Sequence, residues 1–462
     1  MKITAGLFDN MVLQRDGTGL SFQPVEGTCG KDENGLVTMT AYTKRKVLEK
    51  FNGRTIGSSS NGAFKAVVKG LPPGGPYQIR LSIARGKKGR GSVWVNDVFV
   101  GDVWILAGQS NMQGNGYRKD RRRPHPGVRA FYMDDHWDMA LDPLHDLGIA
   151  IDECHKGATI APHIGTGPGV AFGQSLYALT GIPQGLIACA HGGTSMSQWS
   201  PALKNRGGAS LYGAMVRRFI KNGSKIAGVF WYQGCSDVGK DDARAYTRRM
   251  KELVRSMRKD FGNPALPFVM VQIARVCRVN DNTAGWNSIR DQQRLLPEKI
   301  RNLLTVPAID LGLDDMIHLS GTEQDRLGLR CADAMSLLKY QNRGAFPPIE
   351  LNDVSSMKDP DTRTVNVRVK FNNVSGKLVA LSRPTGFILS DHPDRMNADP
   401  VYKIELQGDQ VLLKTSLTPS EFGCKHLFYG FGNNPYCNIT DSADRSLPAF
   451  GPIPVRARIL IQ

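Results

Sequence analysis

A serine follows an apolar stretch near residue 100, in the run Gly101-Asp102-Val103-Trp104-Ile105-Leu106-Ala107-Gly108-Gln109-Ser110-Asn111-Met112. A strand that ends in small polar residues can present the hydroxyl of Ser110 at the edge of a sheet. Much later in the chain, Asp315 precedes His318 in a D-x-x-H spacing that lets both side chains project from one loop. A histidine oriented by a carboxylate can take the proton of a serine hydroxyl, so these three residues predict nucleophilic ester hydrolysis.

Two more segments could provide the hydrogen-bond donors that a developing oxyanion needs. His191-Gly192-Gly193-Thr194-Ser195 follows one apolar run, and Tyr232-Gln233-Gly234-Cys235-Ser236-Asp237 follows the next. Ligands bind beyond the carboxyl ends of the strands in an open parallel sheet, so we expect all these segments at one edge. Each segment has an ordinary alternative, because Ser-Asn can cap a helix, Gly-Gly can form a turn, and D-x-x-H can arise by chance. Their combination and order favour the esterase.

The residues that carry this chemistry need a sheet to position them, and the middle of the chain has the pattern of one. Between residues 101 and 342, longer helical stretches separate five short apolar runs: Val103 to Ala107, Leu186 to Ala190, Ile226 to Trp231, Phe268 to Ile273 and Leu304 to Ile309. In one helical stretch the apolar residues recur at helical spacing: Tyr246, Met250, Leu253 and Met257. This alternation predicts an α/β fold with a parallel sheet covered by helices on both faces. Ser320 or Thr322 would cap the helix that follows His318.

Strand patterns flank the middle part on both sides. Apolar residues alternate with polar ones early in the chain, at Tyr77, Ile79, Leu81 and Ile83, and again late in the chain, at Val365, Val367, Val369 and Phe371. We therefore predict three domains: an N-terminal all-β domain over residues 1–100, a catalytic domain over 101–342, and a C-terminal all-β domain over 343–462.

The run around Ser110 resembles block I of the SGNH hydrolases, in the G-Q-S-N-M form found in sialate O-acetylesterases and related carbohydrate acetylesterases. The Asp315-x-x-His318 spacing is similar to block V of the same superfamily. The resemblance implies a flavodoxin-like, three-layer α/β/α catalytic domain, and the catalytic residues Ser110, Asp315 and His318. No G-x-S-x-G elbow surrounds Ser110, which disfavours the α/β-hydrolase fold.

The same resemblance implies which residues contact the substrate. The oxyanion hole would consist of the N–H of Ser110, a backbone N–H of the Gly192-Gly193 pair, with Gly193 preferred, and the side-chain amide of Gln233. The other expected substrate-binding residues are Gln109, Asn111, Gly192, Thr194 and Trp199, together with Arg118, which comes from the basic cluster that follows Ser110. One position departs from the usual W-Y-Q-G-E-S-D of the family, since Cys235 replaces the glutamate. This loss would weaken positioning in the site or alter its specificity.

The implied function is a serine esterase that removes O-acetyl groups from carbohydrates through an acetyl-enzyme, with no metal or organic cofactor. Residues 185–194 also resemble acetylxylan esterases, so O-acetylated sialic acids and acetylated polysaccharides both remain open as substrates. The alternative from another class is a glycan-binding protein with an inactive esterase site, which Cys235 and the flanking β domains motivate.

The charge of the chain bears on its partners. Lys and Arg number 59 against 42 Asp and Glu, a formal net charge of +17 that would attract anionic partners. Two basic clusters contribute, Lys87-Lys88-Gly89-Arg90 and Arg118-Lys119-Asp120-Arg121-Arg122-Arg123. The second cluster either is a solvated loop or helps to hold an acidic glycan near Ser110. No nucleic-acid-binding module surrounds it, so we expect no nucleic-acid partner.

The remaining composition excludes other classes of protein. The eight cysteines form no C-x-x-C pair and no zinc-spaced cluster, so we expect no metal site; Cys424 with Cys437 would be the disulfide, if one forms. Every apolar run is well short of the ~18 residues that a membrane span requires. We expect a secreted or periplasmic enzyme whose signal peptide is not part of this sequence.

Overall fold

The amino-terminal part of the chain is built of strands. In the computed structural model, which describes residues 1–83, 91–278, 282–342, 344–396 and 399–456, they are β1 Lys2–Ala5, β2 Val12–Gln14, β3 Phe22–Thr28, β4 Gly35–Thr43, β5 Lys46–Val47, β6 Arg54–Ser60, β7 Ala63–Lys69, β8 Gly74–Ile83 and β9 Gly91–Gly108. The alternating apolar residues of β8 are buried, which confirms the strand predicted there. The basic cluster Lys87-Lys88-Gly89-Arg90 lies outside the described residues.

The middle of the chain alternates strands with helices. Its elements are α1 Ser110–Gln113, β10 Gly116–Tyr117, β11 Val128–Phe131, β12 Trp137–Met139, β13 Ile164–Thr166, α2 Gly169–Thr180, β14 Gln184–Ala188, α3 Leu211–Lys221, β15 Gly228–Tyr232, α4 Lys240–Asp260, β16 Phe268–Gln272, α5 Thr283–Arg294, α6 Leu296–Lys299, β17 Leu303–Pro307 and α7 Gly321–Tyr340. Each of the five predicted apolar runs overlaps a strand. Tyr246, Met250, Leu253 and Met257 form the buried face of α4, as their spacing predicts.

Six strands of this part pair in parallel, in the order β11-β14-β9-β15-β16-β17, and β12 adds an antiparallel edge. The predicted α/β fold with a large, mainly parallel central sheet is thus confirmed. After β9 the chain first forms β11 and β14 on one side of it and then β15, β16 and β17 on the other, so the direction in which strands are added reverses at β9. Ligand sites in open parallel sheets lie at such a point, beyond the carboxyl ends of the strands.

Strand β9 joins the amino-terminal and central sheets into one 15-stranded sheet. Its first half pairs antiparallel with β8, and its second half pairs in parallel with β14 and β15. The boundary predicted between residues 100 and 101 falls inside this strand, and the division into three domains stays a prediction. Buried Asp102 ties the amino-terminal segment to β9, because its carboxylate accepts hydrogen bonds from Gln14, Arg15 and the Tyr340 hydroxyl.

The carboxyl-terminal part consists mainly of antiparallel strands. They are β18 Glu350–Lys358, β19 Val365–Asn372, β20 Leu378–Val379, β21 Phe387–Ser390, β22 Val401–Gln407, β23 Gln410–Thr415, β24 Cys424–Tyr429, β25 Thr440–Asp441 and β26 Phe450–Arg456, with the short helix α8 at Pro419–Phe422. Cys424 and Cys437 are free thiols, one exposed and one buried, so the disulfide considered for them is not formed.

The buried apolar side chains form two clusters. One is continuous through the amino-terminal and central parts, and the other lies in the carboxyl-terminal part and includes Ile309 from the end of the β17 region. Within the described ranges, no helix is both long enough and apolar enough to cross a membrane.

Candidate active site

Ser110 is the first residue of α1, directly beyond the end of β9. The strand turns sharply at Gly108, which has φ +133°. A Cβ atom at this glycine would lie 2.2 Å from the carbonyl oxygen of Tyr232, so only glycine allows β9 and β15 to approach this closely. As the first helical residue, Ser110 has a backbone N–H with no acceptor within the helix. The turn therefore presents both a hydroxyl and a free backbone donor.

Asp315 and His318 lie in the loop between β17 and α7. One carboxylate oxygen of Asp315 accepts from the backbone N–H groups of Ile317 and His318, each at 2.7 Å, and the other is 2.6 Å from His318 Nδ1. Burial would raise the pKa of Asp315, but the hydrogen bonds from Ile317 and His318 outweigh it and lower the pKa. The ionised carboxylate accepts from Nδ1–H, which leaves Nε2 of His318 as the basic nitrogen. Ser320 caps the helix that follows, as predicted, by accepting from Glu323 N–H.

The two loops meet in a cavity of about 460 Å³, and Ser110 and His318 both line it. The rest of its wall comes largely from the loops after β14 and β15, through His191, Gly192, Gly193, Cys235 and Ser236. Loops that follow four parallel strands therefore converge at one edge, as expected from their positions after the apolar runs. Hydroxyl, imidazole and carboxylate are brought to one place although two hundred residues separate them along the chain.

Asn111 holds these two loops together. Its side-chain oxygen accepts from Leu319 N–H at 3.0 Å and from the Gln324 amide at 3.1 Å, and its amide donates to the Ile317 carbonyl at 3.3 Å. The side chain is 1% exposed. Expected to contact substrate, Asn111 is instead buried between the Ser110 turn and the His318 loop, where it fixes their relative positions.

The two glycines after β14 are not equivalent as donors. Gly192 N–H donates to the side-chain oxygen of Gln113 at 2.7 Å, so it is already in use. Gly193 is exposed and has φ +70°, a left-handed conformation that favours glycine. This geometry makes Gly193 the better placed of the pair to donate to an oxyanion.

Gln233 does not lie on the cavity wall. It is fully buried, and its amide donates to the Thr194 carbonyl at 3.1 Å and to Asp237. Both N–H bonds of that amide are therefore committed, and in this geometry neither is left for the oxyanion contact that the resemblance implied. Asp237 also accepts from Met196 N–H, and burial raises the pKa of its carboxyl to about 6. Together these contacts hold the loop after β14 against the loop after β15.

Three other expected substrate contacts also have structural partners. Thr194 is buried, accepts from the indole N–H of Trp199 at 3.0 Å and donates to the His191 carbonyl. Trp199 is fully buried and packs edge-on against Trp231. The guanidinium of Arg118 donates to the Ile164 carbonyl at 2.6 Å and lies outside the cavity wall. Gln109 and Gly192, by contrast, do line the cavity.

Structural contacts also engage other arginines of the second basic cluster. Arg122 pairs with Asp325 at 2.7 Å, and Arg121 donates to the Asp142 carbonyl at 3.3 Å. These contacts indicate that the cluster is a structural loop, and they disfavour its interpretation as a glycan-binding surface.

Two residues of the cavity wall, Arg278 and Gln113, belong to no motif that could have identified them. Arg278 is exposed, and its guanidinium contacts Met316 Sδ, so it adds a positive charge to the cavity that His318 also lines. Gln113 supports Gly192, as described above. Its position three residues after Ser110, in the first turn of a helix, is the only sequence signal it offers.

A histidine pair also lies at the cavity, with His191 in its wall and buried His155 behind that wall. His155 Nδ1 and His191 Nδ1 are 2.9 Å apart, so one must donate and the other accept. Burial, with the neighbouring His191, lowers the pKa of His155 to about 3, and burial lowers the pKa of His191 as well. Both rings are therefore neutral at physiological pH. In the part of the chain that is described, no three His, Cys, Asp or Glu side chains are grouped as metal ligands.

Comparison with known proteins places this geometry in context. The sequence model of a family described as carbohydrate esterase, sialic acid-specific acetylesterase, matches residues 100–337. A probable carbohydrate esterase of Arabidopsis thaliana is 32% identical over 256 residues, which is 50% of this chain and 89% of that protein. Human sialate O-acetylesterase is 26% identical over 323 residues, or 62% of this chain and 59% of the relative. The chain thus spans about three fifths of the human protein.

A solved structure extends the likeness to nearly the whole chain. The crystal structure of a carbohydrate acetylesterase from Xanthomonas citri aligns with 97% of this chain and 98% of its own, at a TM-score of 0.71. Its sequence identity is 21%, so this likeness concerns the fold.

Proposed function

Because the chain belongs to the carbohydrate esterase family of sialic acid-specific acetylesterases, we propose that it removes O-acetyl groups from a carbohydrate through an acetyl-enzyme intermediate on Ser110. The observation that carries this proposal is the meeting of Ser110 and His318 in one cavity, with Asp315 held 2.6 Å from His318 Nδ1. A binding protein would have no need for a serine hydroxyl and a carboxylate-oriented imidazole in one cavity.

In the first half-reaction, the Ser110 hydroxyl attacks the carbonyl carbon of the acetyl ester while His318 Nε2 takes its proton. Asp315 keeps Nδ1 protonated and stabilises the imidazolium that forms. The tetrahedral intermediate then breaks its bond to the sugar oxygen, which leaves with the proton from His318. The products at this stage are the free sugar hydroxyl and an acetyl group on Ser110.

In the second half-reaction, water attacks the acetyl-enzyme, and His318 takes one of its protons and returns it to the Ser110 oxygen as acetic acid leaves. The acid then loses its proton to solvent and becomes acetate. The negative charge that develops in both steps is stabilised by the backbone N–H groups of Ser110 and Gly193. Such donors are worth about a hundredfold to a thousandfold each in rate. We assign Gln233 to positioning rather than to the oxyanion, because Thr194 and Asp237 accept from both of its N–H bonds.

We also propose the finer architecture that the family resemblance implies. Helices would cover both faces of the parallel sheet in three layers, between N- and C-terminal β domains. The contacts of α2 with α7, and of α4 with α5, support two helical layers.

The substrate that we propose is an acetylated sugar carrying negative charge. Arg278 on the cavity wall would pair with a sugar carboxylate while the acetyl group lies at Ser110. O-acetylated sialosides and acetylated acidic polysaccharides both meet this description, whereas neutral acetylxylan does not. Acetate release from these three substrates separates them, and Arg278→Gln should raise KM for the acidic ones without changing turnover of a neutral aryl acetate.

A glycan-binding protein with an inactive site is the second candidate, since Cys235 lines the cavity where the family carries glutamate. Hydrolysis of a generic aryl acetate by the wild type, compared with Ser110→Ala, decides between the two. Turnover that depends on Ser110 supports the esterase. Glycan binding without any turnover would establish the binding protein instead.

A further inference from the structure

Helix α4 carries a row of positive charges on its solvent-facing side. The exposed cations recur at spacings of four, three, four and four residues, which places them along one side of the helix: Arg244, Arg248, Lys251, Arg255 and Lys259. At a rise of 1.5 Å per residue, the row extends for about 22 Å. The opposite side of α4 packs into the core.

This row forms one wall of an open groove of about 1210 Å³. The other wall is the segment before β17, with Lys299 and Arg301. Arg258 joins the two walls by donating to the carbonyl oxygens of Leu266 and Arg301. The groove is lined by eight cationic side chains and a single carboxylate, that of Glu252.

None of these five cations forms an ion pair with a carboxylate of the described residues. The ion pairs that α4 makes within the described ranges use other residues, Arg249 with Asp237 and Asp242, and Asp260 with Lys204. Like charges four residues apart destabilise a helix. The row therefore works against the stability of α4, and an anionic partner lying along it would remove that repulsion.

A smaller cavity of about 230 Å³ connects the groove with the loop after β14. Arg248 and Glu252 line both cavities, and Met196 and Pro201 line the smaller one. The loop that carries them begins at Gly192 and Gly193 in the wall of the candidate active site. A carbohydrate chain that leaves the active site along this loop would reach the row of cations on α4.

We propose that this groove, which we call the α4 groove, binds the anionic sugars of a polysaccharide substrate beyond the residue being deacetylated. The proposal rests on the proposed function and narrows it to polymers with repeated carboxylate groups. Guanidinium and ammonium groups spaced along about 22 Å can pair with several such carboxylates at once. Nucleic acid fits less well, because the described lining of the groove contains no aromatic side chain on which bases could stack.

The test measures binding of the full chain carrying Ser110→Ala to polygalacturonate, with dextran as the neutral polymer, at low and high salt. The groove variant combines Arg248→Gln, Lys251→Gln, Arg255→Gln and Lys259→Gln. The matched control removes the same charge from four exposed lysines of the amino-terminal strands and turns: Lys31→Gln, Lys46→Gln, Lys50→Gln and Lys69→Gln. Circular dichroism checks that both variants are folded.

We expect the groove variant to bind polygalacturonate roughly tenfold more weakly or worse, with a reduced salt dependence, and the control to stay close to the parent. An equal loss in both variants would overturn the proposal, because net charge alone would then explain binding. Equal binding of dextran would overturn it too, as would groove-dependent binding of duplex DNA without binding of polygalacturonate. Aryl acetate turnover, measured with Ser110 intact, tests the proposed esterase activity separately. The binding result shows whether the α4 groove holds an anionic polymer, whether or not turnover is found.

Discussion

The side-chain oxygen of Asn111 lies 3.0 Å from the backbone nitrogen of Leu319, so the residue after the candidate nucleophile is hydrogen-bonded to the residue after the candidate base. This hydrogen bond fixes the position of the Ser110 turn relative to the loop that carries His318.

Asn111→Ala should lower kcat on an aryl acetate by about ten- to a hundredfold while KM changes little, because the loops lose alignment rather than substrate contacts. The free energy of unfolding should fall by about 1–3 kcal/mol, since buried partners lose their hydrogen bonds. Steady-state kinetics and urea unfolding give both values. A raised KM with normal kcat would instead show that Asn111 contacts substrate directly.

Ser110→Ala and His318→Ala should each reduce kcat/KM by about 10⁴ or more, because each removes a group without which the other cannot act. The double variant should be no slower than either single one, as expected for residues that work as a unit. Aryl acetate hydrolysis, with circular dichroism as the check on folding, measures this. Additive losses in the double variant would contradict the shared mechanism.

Asp315→Asn should reduce kcat by roughly 10² to 10⁴, because a neutral amide neither stabilises the imidazolium nor enforces the tautomer. Asp315 is also exposed enough that its loss should change the free energy of unfolding little. The lowered pKa of this carboxyl means that it stays ionised in acid to below its usual range. Activity lost on mild acidification should therefore not follow the protonation of Asp315, so a loss of activity on the acid side should also be present in the pH profile of Asp315→Asn.

Gln233→Ala should destabilise the protein by about 1–3 kcal/mol, because the Thr194 carbonyl and buried Asp237 would each lose a donor. If Gln233 only positions the loops, Asp237→Ala should reduce kcat to a similar degree, and the double variant should be far less than additive. A large loss of kcat in Gln233→Ala, with unchanged stability and full additivity, would assign the amide to the oxyanion after all.

The His155–His191 pair predicts acid sensitivity. A histidine has a pKa of about 6.5 when unfolded, whereas burial lowers the pKa of His155 to about 3. Below pH 6.5 the unfolded chain therefore binds more protons, and the free energy of unfolding decreases as the pH falls toward 3. His155 alone should account for roughly 2–3 kcal/mol between pH 7 and about 4.5.

The measurement is urea unfolding across this pH range for wild type and for His155→Asn, which retains one hydrogen-bonding group near Nδ1. His163→Asn, at an exposed position, is the matched control. We expect a shallower pH dependence for His155→Asn only. The same slope in all three proteins would mean that His155 titrates normally in the folded state.

Much of the fold follows from local pattern, because five apolar runs and one amphipathic helix have the periodicity of the elements they form. Strand β11 was not predicted, since Val128–Phe131 is only four residues long and contains Arg129. The sequence also did not predict that one strand crosses the boundary placed after residue 100. A continuous strand can pair with two different sets of strands without any change in its composition.

Some residues of the site could likewise be predicted from the sequence and others could not. The order and spacing of Ser110, Asp315 and His318 predict their proposed roles, because those residue types perform the chemistry directly. Gln233 and Trp199 stand near the site in sequence but are buried, and a motif does not say to which side of the sheet a side chain points. Arg278 reaches the cavity from a loop with no recognisable pattern, so only the three-dimensional structure reveals it.

The continuity of β9 limits how the protein can be taken apart. An enzyme shortened to begin at residue 101 would lose Gln14 and Arg15. Of these two side chains and Tyr340, which all donate to the Asp102 carboxylate, Tyr340 alone would remain. It would also leave the backbone of Gly101 without its pairing to Gln14 of β2 and without the hydrogen bond that its carbonyl accepts from Arg15 N–H. The amino-terminal strands therefore help to hold in place the strand that ends at Ser110, and they are not a separable domain. The amino-terminal and central parts of this chain should be kept together when the protein is engineered.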